Sequence, residues 1–303
     1  MHSFLQKNHP TPRYHNMDLY NLEHIKALLK RYKFNLSKSL GQNFILSREV
    51  CDNMTKSIDK SYGIIEIGPG IGSLTTVIAE KASKVICIEI DKTLKPILDE
   101  TLCDFDNVEV IFDDVLNTDI GAIIEEKLKG LKVCVIANLP YYITTDILMY
   151  FIENEFPIDK MVVLVQKEAG IRLTAKLGEK DSGAISGAIN YYTVPKFEFV
   201  VPANLFYPIP KVDSSVVSFT MRKTLDFDIK DRKLFFRIIR AAYQYRRKTA
   251  VNSISMGMKL PKEKIIEVFN DLDLNQNLRA ENLNFKDFSN ISNKLHVLQE
   301  NQN

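Results

Sequence analysis

Residues 63–74 read Gly63-Ile64-Ile65-Glu66-Ile67-Gly68-Pro69-Gly70-Ile71-Gly72-Ser73-Leu74. The apolar run before Gly68 suits a strand buried on both faces. The glycines that follow let the backbone turn sharply and approach a ligand with no Cβ in the way. LTTVIAEKA (74–82) then takes up helical spacing. Strand, glycine turn and helix form the opening unit of an open α/β sheet, where ligands bind beyond the carboxyl ends of the strands. Glu89 stands at the end of the second apolar run, 21 residues past Gly68, and a carboxylate there can accept both hydroxyls of a ribose. The dinucleotide fingerprint G-x-G-x-x-G would need glycine at position 73, but the chain has Ser73 and spaces its glycines at 68, 70 and 72.

Outward from this turn the pattern repeats. KVICIEI (84–90), NVEVIF (107–112), KVCVIAN (132–138) and KMVVLVQ (160–166) alternate with LKPILDETL (94–102), IGAIIEEKLK (120–129) and TTDILMYFIEN (144–154). Such alternation predicts parallel βαβ units in a doubly wound, mostly parallel sheet. FEFVVP (197–202) and DSSVVSFTM (213–221) add two strands, after which the strand signal stops. In 231–246, Leu234, Phe235, Ile238, Ile239, Ala242 and Tyr245 share one helical face, and Lys233, Arg237, Arg240 and Arg247 follow a second stripe. Pro261 is placed to open another helix, and Asn284 with Asp287 is a capping pair for the last. Upstream, helices are expected over Leu22 to Tyr32 and from about Glu49 to Ile58. The reading is an α/β chain in three parts. Residues 1–36 are a tail and a basic helix, 37–222 the sheet domain, and 223–303 a small all-α domain.

Composition narrows the class. The chain has 303 residues, 45% hydrophobic and 26% charged, ordinary for a globular protein. No apolar run reaches the roughly 18 residues that span a bilayer, and the first 16 lack the apolar stretch of a secretory signal. Cys51, Cys87, Cys103 and Cys134 make no C-x-x-C and no ligand spacing with histidine. They are expected to be buried, reduced thiols in a cytoplasmic protein without a metal site. Charge is unevenly spread. Residues 1–40 carry seven Lys/Arg against two Asp/Glu, and 222–248 carry ten against three, although the net charge is only +2. Two basic zones around an acidic middle suggest a polyanion held at the edges of a domain.

The glycine spacing at 68, 70 and 72 resembles that of class I S-adenosylmethionine-dependent methyltransferases. Asp114, after the third strand, then suits the adenine amine of that cofactor. The fourth strand ends in Asn138-Leu139-Pro140-Tyr141, which fits methylation of an exocyclic amine on a base. The N6 amine of adenine is a poor nucleophile because its lone pair is delocalised into the ring. The side-chain oxygen of Asn138 and the backbone carbonyl of Leu139 can accept both amine hydrogens and aim the lone pair at the methyl donor, so positioning supplies most of the rate. Tyr141 offers a ring for an extruded base, a stack worth roughly 1–3 kcal/mol.

With SLGQNF (39–44), EIGPGIG (66–72), IEID (88–91), NLPYY (138–142), VQKEAGIRL (165–173) and VPANLFYPIPKVDSSVV (201–217), the chain resembles the KsgA/Erm family of rRNA adenine N6-dimethyltransferases. The resemblance implies that Asn43 and Ile45 contact the cofactor alongside Gly68, Gly70, Glu89, Asp114 and Asn138. It also implies that Phe206 forms a second aromatic wall opposite Tyr141. Arg246-Arg247-Lys248-Thr249 and the run FYPIPKVDSS resemble the KsgA branch, whose members dimethylate two adjacent adenosines in the 3′-terminal hairpin loop of 16S rRNA in the immature small subunit. Ile45 stands where leucine is usual, and Ala250-Val251 break the usual run after RRKT. Arg246, Arg247 and Lys248 are then expected to hold the duplex stem, with Lys38 and Lys211 beside the pocket, and a monomer is expected. An Erm-type enzyme of large-subunit rRNA, an assembly factor with secondary methylation, and a DNA adenine methyltransferase are the alternatives. The RRKT segment disfavours the first, and nothing like a DNA target-recognition domain follows residue 222.

Overall fold

The computed structural model describes residues 18–37, 40–224 and 228–300, the side chains of the last two excepted. Its elements begin with α1 (Leu22–Arg31), β1 (Phe44–Ile45), α2 (Arg48–Met54), β2 (Tyr62–Ile67), α3 (Ser73–Lys81), β3 (Lys84–Ile88), α4 (Lys95–Thr101) and β4 (Val108–Ile111). They continue through α5 (Ile120–Lys127), β5 (Lys132–Asn138), α6 (Thr144–Glu153), β6 (Lys160–Gln166), α7 (Lys167–Thr174) and α8 (Ala184–Tyr192). β7 (Thr193–Val201), β8 (Phe206–Tyr207) and β9 (Ser214–Met221) precede α9 (Arg232–Gln244), α10 (Ala250–Met258), α11 (Lys262–Asp271) and α12 (Phe285–Glu300).

Seven strands form one sheet in the order β4-β3-β2-β5-β6-β9-β7. The first five run parallel, β9 is antiparallel to β6 with Val163 opposite Val217, and β7 is antiparallel to β9. Side chains alternate across the sheet. Ile65, Ile67, Ile86, Ile88, Val133 and Val135 enter one core, while Ile64, Val85, Cys87, Cys134 and Ile136 enter the other. Both faces are therefore covered, as continuous apolar strands require. The chain leaves β2 toward β3 on one side and returns to β5 on the other, so a crevice opens at their carboxyl ends. β1 and β8 form a separate two-stranded ladder that pairs Ile45 with Phe206.

α1 packs Ile25, Leu28 and Leu29 onto a cluster with Phe44, Ile71, Leu94 and Leu98. Arg31 pairs with Glu100 at 2.7 Å, and Tyr20 donates its hydroxyl to the Ser73 carbonyl at 2.7 Å. The segment from Leu19 to Arg31 thus braces the glycine turn; the tail at 1–16 lies outside the described residues. α9 to α12 bury Leu234, Phe235, Ile238, Phe269, Phe288 and Ile291 together. That cluster reaches back before residue 222, with Leu177 a buried member and Ala184 and Tyr191 packed against it.

Several local expectations change. The second helix stops at Met54 rather than Ile58, because the Thr55 hydroxyl turns back to the Cys51 carbonyl at 2.8 Å. α7 and α10 are helices that the sequence pattern does not announce, and so is α8, in a stretch without a motif. Each is short, and glycine interrupts the pattern of α7 at Gly170. A Cβ there would stand 2.1 Å from the Ser215 hydroxyl, so close packing on β9 requires glycine. Pro261 is the residue before α11 rather than its first. Asn284 and Asp287 cap reciprocally at 2.9 and 3.0 Å, as expected. Cys51, Cys87 and Cys134 are buried, but Cys103 is exposed, since it lies in the turn after α4 and not in a strand. Among the described residues no helix is long and apolar enough to cross a membrane.

Candidate active site

The crevice beyond β2 and β5 is a cleft of about 970 Å³ lined by Asn43, Ile45, Gly68, Gly70, Glu89, Asp114 and Asn138. Seven candidate residues from five separated stretches of the chain therefore face one space. Gly68 and Gly70 adopt φ of 68° and 59°, the left-handed region that side chains disfavour. A Cβ at Gly70 would also press to 3.1 Å from the Phe44 ring, whereas one at Gly68 would meet nothing within 4 Å. The turn is tied to the neighbouring strand through Gly68 N–H to the Ile88 carbonyl at 2.9 Å.

Glu89 is 5% exposed. Its Oε1 accepts from Asp91 N–H at 2.8 Å and its Oε2 from Gly70 N–H at 3.3 Å. Burial pushes its pKa up to about 7, against the lowering pull of these backbone donors. Glu66, fully enclosed in the same wall, is also raised to about 7 by burial. Asp114 accepts from Leu116 N–H at 3.0 Å and from the Asn117 amide at 3.2 Å, which holds its carboxylate at the rim. Glycines open to close approach, a fixed carboxylate for two hydroxyls and a second for an amine fit an adenosine-bearing cofactor. Glu89 would hold its ribose and Asp114 its adenine amine, with Val115, Ile143 and Ile147 supplying apolar wall.

Asn138 closes the opposite wall. Its Nδ2 donates to the Asn43 carbonyl at 2.8 Å, and a carbonyl can only accept, so the amide orientation follows. Among the described residues nothing donates to Oδ1, on a residue that lines the cleft. Asn43 in turn donates its own amide to the Gly41 carbonyl at 2.9 Å. Leu139 is buried and gives its N–H to Leu164 at 3.1 Å; its carbonyl accepts nothing among the described residues. Tyr141 is half-buried, with its hydroxyl 2.8 Å from that of Ser214. That contact pins the ring beside the turn, and burial raises the phenol pKa.

Other candidates sit apart. Phe206 is 1% exposed. It is held by the ladder to Ile45, so its ring belongs to the core behind the cleft and does not stand open opposite Tyr141. Lys211 is exposed in the loop between β8 and β9, and Arg246, Arg247 and Lys248 are exposed between α9 and α10. Lys38 lies outside the described residues. Gln42 was missed in the sequence. Its Nε2 donates to Asp91 Oδ2 at 2.7 Å and its Oε1 accepts from Ser37 N–H at 2.9 Å, joining the loop before β1 to the end of β3. Its place inside SLGQNF was the available signal. Tyr142, the last residue of NLPYY, lines the cleft and is 62% exposed.

The family model for ribosomal RNA adenine dimethylases matches residues 33–296. Ribosomal RNA small subunit methyltransferase A of Alkaliphilus oremlandii is 44% identical over 273 residues, covering 89% of this chain and 95% of its own. The same-named protein of Bacillus pumilus is 40% identical over 286 residues, covering 92% and 98%. In fold, the chain is similar to a dimethyladenosine transferase from Plasmodium falciparum. That structure has a TM-score of 0.67 at 22% identity, over 85% of this chain and 97% of the other. With the glycine turn, Glu89 and the anchored Asn138 on one cleft, the chain belongs to the ribosomal RNA adenine dimethylase family, enzymes that draw their methyl group from S-adenosylmethionine.

Proposed function

We propose that the chain dimethylates the N6 amines of two adjacent adenosines in the 3′-terminal hairpin loop of 16S rRNA, acting on the immature small subunit. The observation that carries the chemistry is the Asn138 amide on the cleft wall, whose Nδ2 is held by the Asn43 carbonyl so that Oδ1 remains to accept. Bound S-adenosylmethionine supplies an electrophilic methyl group. Asn138 Oδ1 and the Leu139 carbonyl accept the two amine hydrogens, which turns the nitrogen lone pair toward the donor and stabilises the positive charge that grows on the amine. Tyr141, fixed through Ser214, carries one face of the extruded base. Phe206, buried beside Ile45, belongs to the core and takes no part in this wall.

Small-subunit rather than large-subunit rRNA is favoured by relatives of that name at 40 and 44% identity. Arg246, Arg247, Lys248 and Lys211, all exposed, together with Lys38, are assigned to the RNA backbone, where phosphate contacts give salt-dependent affinity. Residues 37–222 act as the methyltransferase domain and 223–303 as the RNA-holding domain. The test is incubation with labelled S-adenosylmethionine and undermethylated small subunits, followed by mapping of the modified base. Label in dimethyladenosine of the hairpin loop is expected. Its absence, or label in large-subunit RNA, overturns the assignment.

A further inference from the structure

Asn138 is oriented by a backbone atom, the Asn43 carbonyl, so its acceptor is only as well placed as the loop that carries Asn43. Downstream that loop is anchored, because Phe44 and Ile45 pair with Tyr207 and Phe206. Upstream, Gly41 takes a φ of 60°, and a Cβ on it would stand 3.6 Å from that of Pro140. Between these two points the side chain of Gln42 makes the remaining tie.

Gln42 uses both ends of its amide. Oε1 accepts from Ser37 N–H at 2.9 Å, and Nε2 donates to Asp91 Oδ2 at 2.7 Å. Asp91 is itself committed. Its Oδ1 accepts from Thr93 N–H at 3.0 Å, and its backbone N–H donates to Glu89 Oε1 at 2.8 Å. A run of contacts therefore leads from Glu89 through Asp91 and Gln42 to the neighbouring Asn43, and from Asn43 to Asn138. The polarity of the run is fixed. A carboxylate oxygen only accepts, so Gln42 must present its NH2 to Asp91 and its oxygen to Ser37. A hydrogen bond to a carboxylate is also stronger than one between neutral groups. Gln42 lines the cofactor cleft, but each end of its amide is already bonded within the protein.

We propose that Gln42 is a positioning residue for methyl transfer: its bridge to Asp91 fixes the Asn43 carbonyl, and through it the amide that presents Oδ1 to the amine. The proposal rests on the reading of Asn138 as the acceptor. Without the bridge the Asn138 amide can turn either end to the base, and only the oxygen suits an amine. The loss is one of placement, so saturating cofactor does not repair it.

The experiment exchanges the two partners. Gln42→Glu sets one carboxylate against another, and Asp91→Asn sets an amide nitrogen against either Gln42 or the Thr93 N–H. The double variant Q42E/D91N reverses the bridge and keeps its bonds and net charge: the new carboxylate still accepts from Ser37, and the new amide still turns its oxygen to Thr93. Each single variant should lower the single-turnover rate about 10–100-fold at saturating S-adenosylmethionine and undermethylated small subunits. The exchange should restore it to within about threefold. The NMR resonance of the Asn138 side-chain amide, assigned by its absence from Asn138→Asp, should move in each single variant and return in the exchange. A bond that only holds the fold together would lower Tm and leave rate and resonance in place well below it. Single variants within about twofold of the wild-type rate overturn the proposal, as does a loss confined to KM for S-adenosylmethionine, or an exchange that recovers Tm without the rate. Should wild type leave small subunits unlabelled, the rRNA reading fails by itself. The bridge is then judged on the Asn138 resonance, and a resonance that stays in place overturns it.

Discussion

Replacing Glu89 by glutamine separates two jobs that one side chain performs. Its two oxygens accept from Asp91 N–H at 2.8 Å and Gly70 N–H at 3.3 Å, in a site only 5% exposed. An amide has one acceptor atom, so it keeps the shorter bond and turns its NH2 toward Gly70. Leaving that backbone donor unsatisfied costs about 1–3 kcal/mol of folding free energy, which for a protein of this size lowers Tm by about 2–4 °C per kcal/mol. The second loss appears only with cofactor. Charge-assisted bonds from the ribose hydroxyls, each worth about 1.5–3 kcal/mol, become ordinary ones. S-adenosylhomocysteine affinity, measured by calorimetry near pH 8, should therefore fall about 10–150-fold. The wild-type protein should also show a pH dependence. Burial lifts Glu89 to about 7, and the ligand prefers the ionised form, so binding is flat above that pH. Below it, affinity weakens toward tenfold per unit, because a proton must leave before the ligand is held. Glu66 is lifted to about 7 as well, so Glu66→Gln is the control that must leave the profile in place. Wild-type affinity that stays level from about pH 8 to about pH 6, or Glu89→Gln binding within twofold of wild type, would refute the assignment of ribose to Glu89.

Asn138→Asp places an oxygen against the Asn43 carbonyl where a donor now sits at 2.8 Å; kcat for methyl transfer should fall about 10²–10³-fold in a single-turnover assay, with Asn138→Ala no better. Tyr141→Phe loses only the contact with Ser214, so about 0.5–1.5 kcal/mol of stability should disappear while transfer persists; Tyr141→Ala should lose transfer as well. Gly170→Ala drives a Cβ to 2.1 Å from the Ser215 hydroxyl, and overpacking of this kind costs about 1–3 kcal/mol in denaturant titration. Ser215→Ala, which removes a buried hydroxyl without a hydrogen-bond partner, should be near neutral alone and should recover part of the Gly170→Ala loss.

The sheet was legible because its signals are local. β5 and β6 run from Lys132 to Asn138 and from Lys160 to Gln166, the same limits as the apolar runs, since strands buried on both faces leave no polar residue to blur an edge. α7 and α8 were illegible for the opposite reason. They hold together through contacts with β9 and α9, and Gly170, a mark against helix in isolation, is demanded by Ser215. Phe206 shows a related limit. Its motif tells that an aromatic ring belongs near the turn, but only the pairing of β8 with β1 determines that the ring points into the core.

Asn138 carries the same lesson into the chemistry. An asparagine at the end of a strand announces an amide, yet an amide can present either a donor or an acceptor to its substrate, and only one of these suits an amine. The choice is made by the Asn43 carbonyl, 95 residues earlier in the chain, in a loop that Gln42 ties to Asp91 and Asn43 ties to Gly41. On the proposed chemistry, the loop before β1 therefore serves the acceptor on Asn138 as well as lining the cleft.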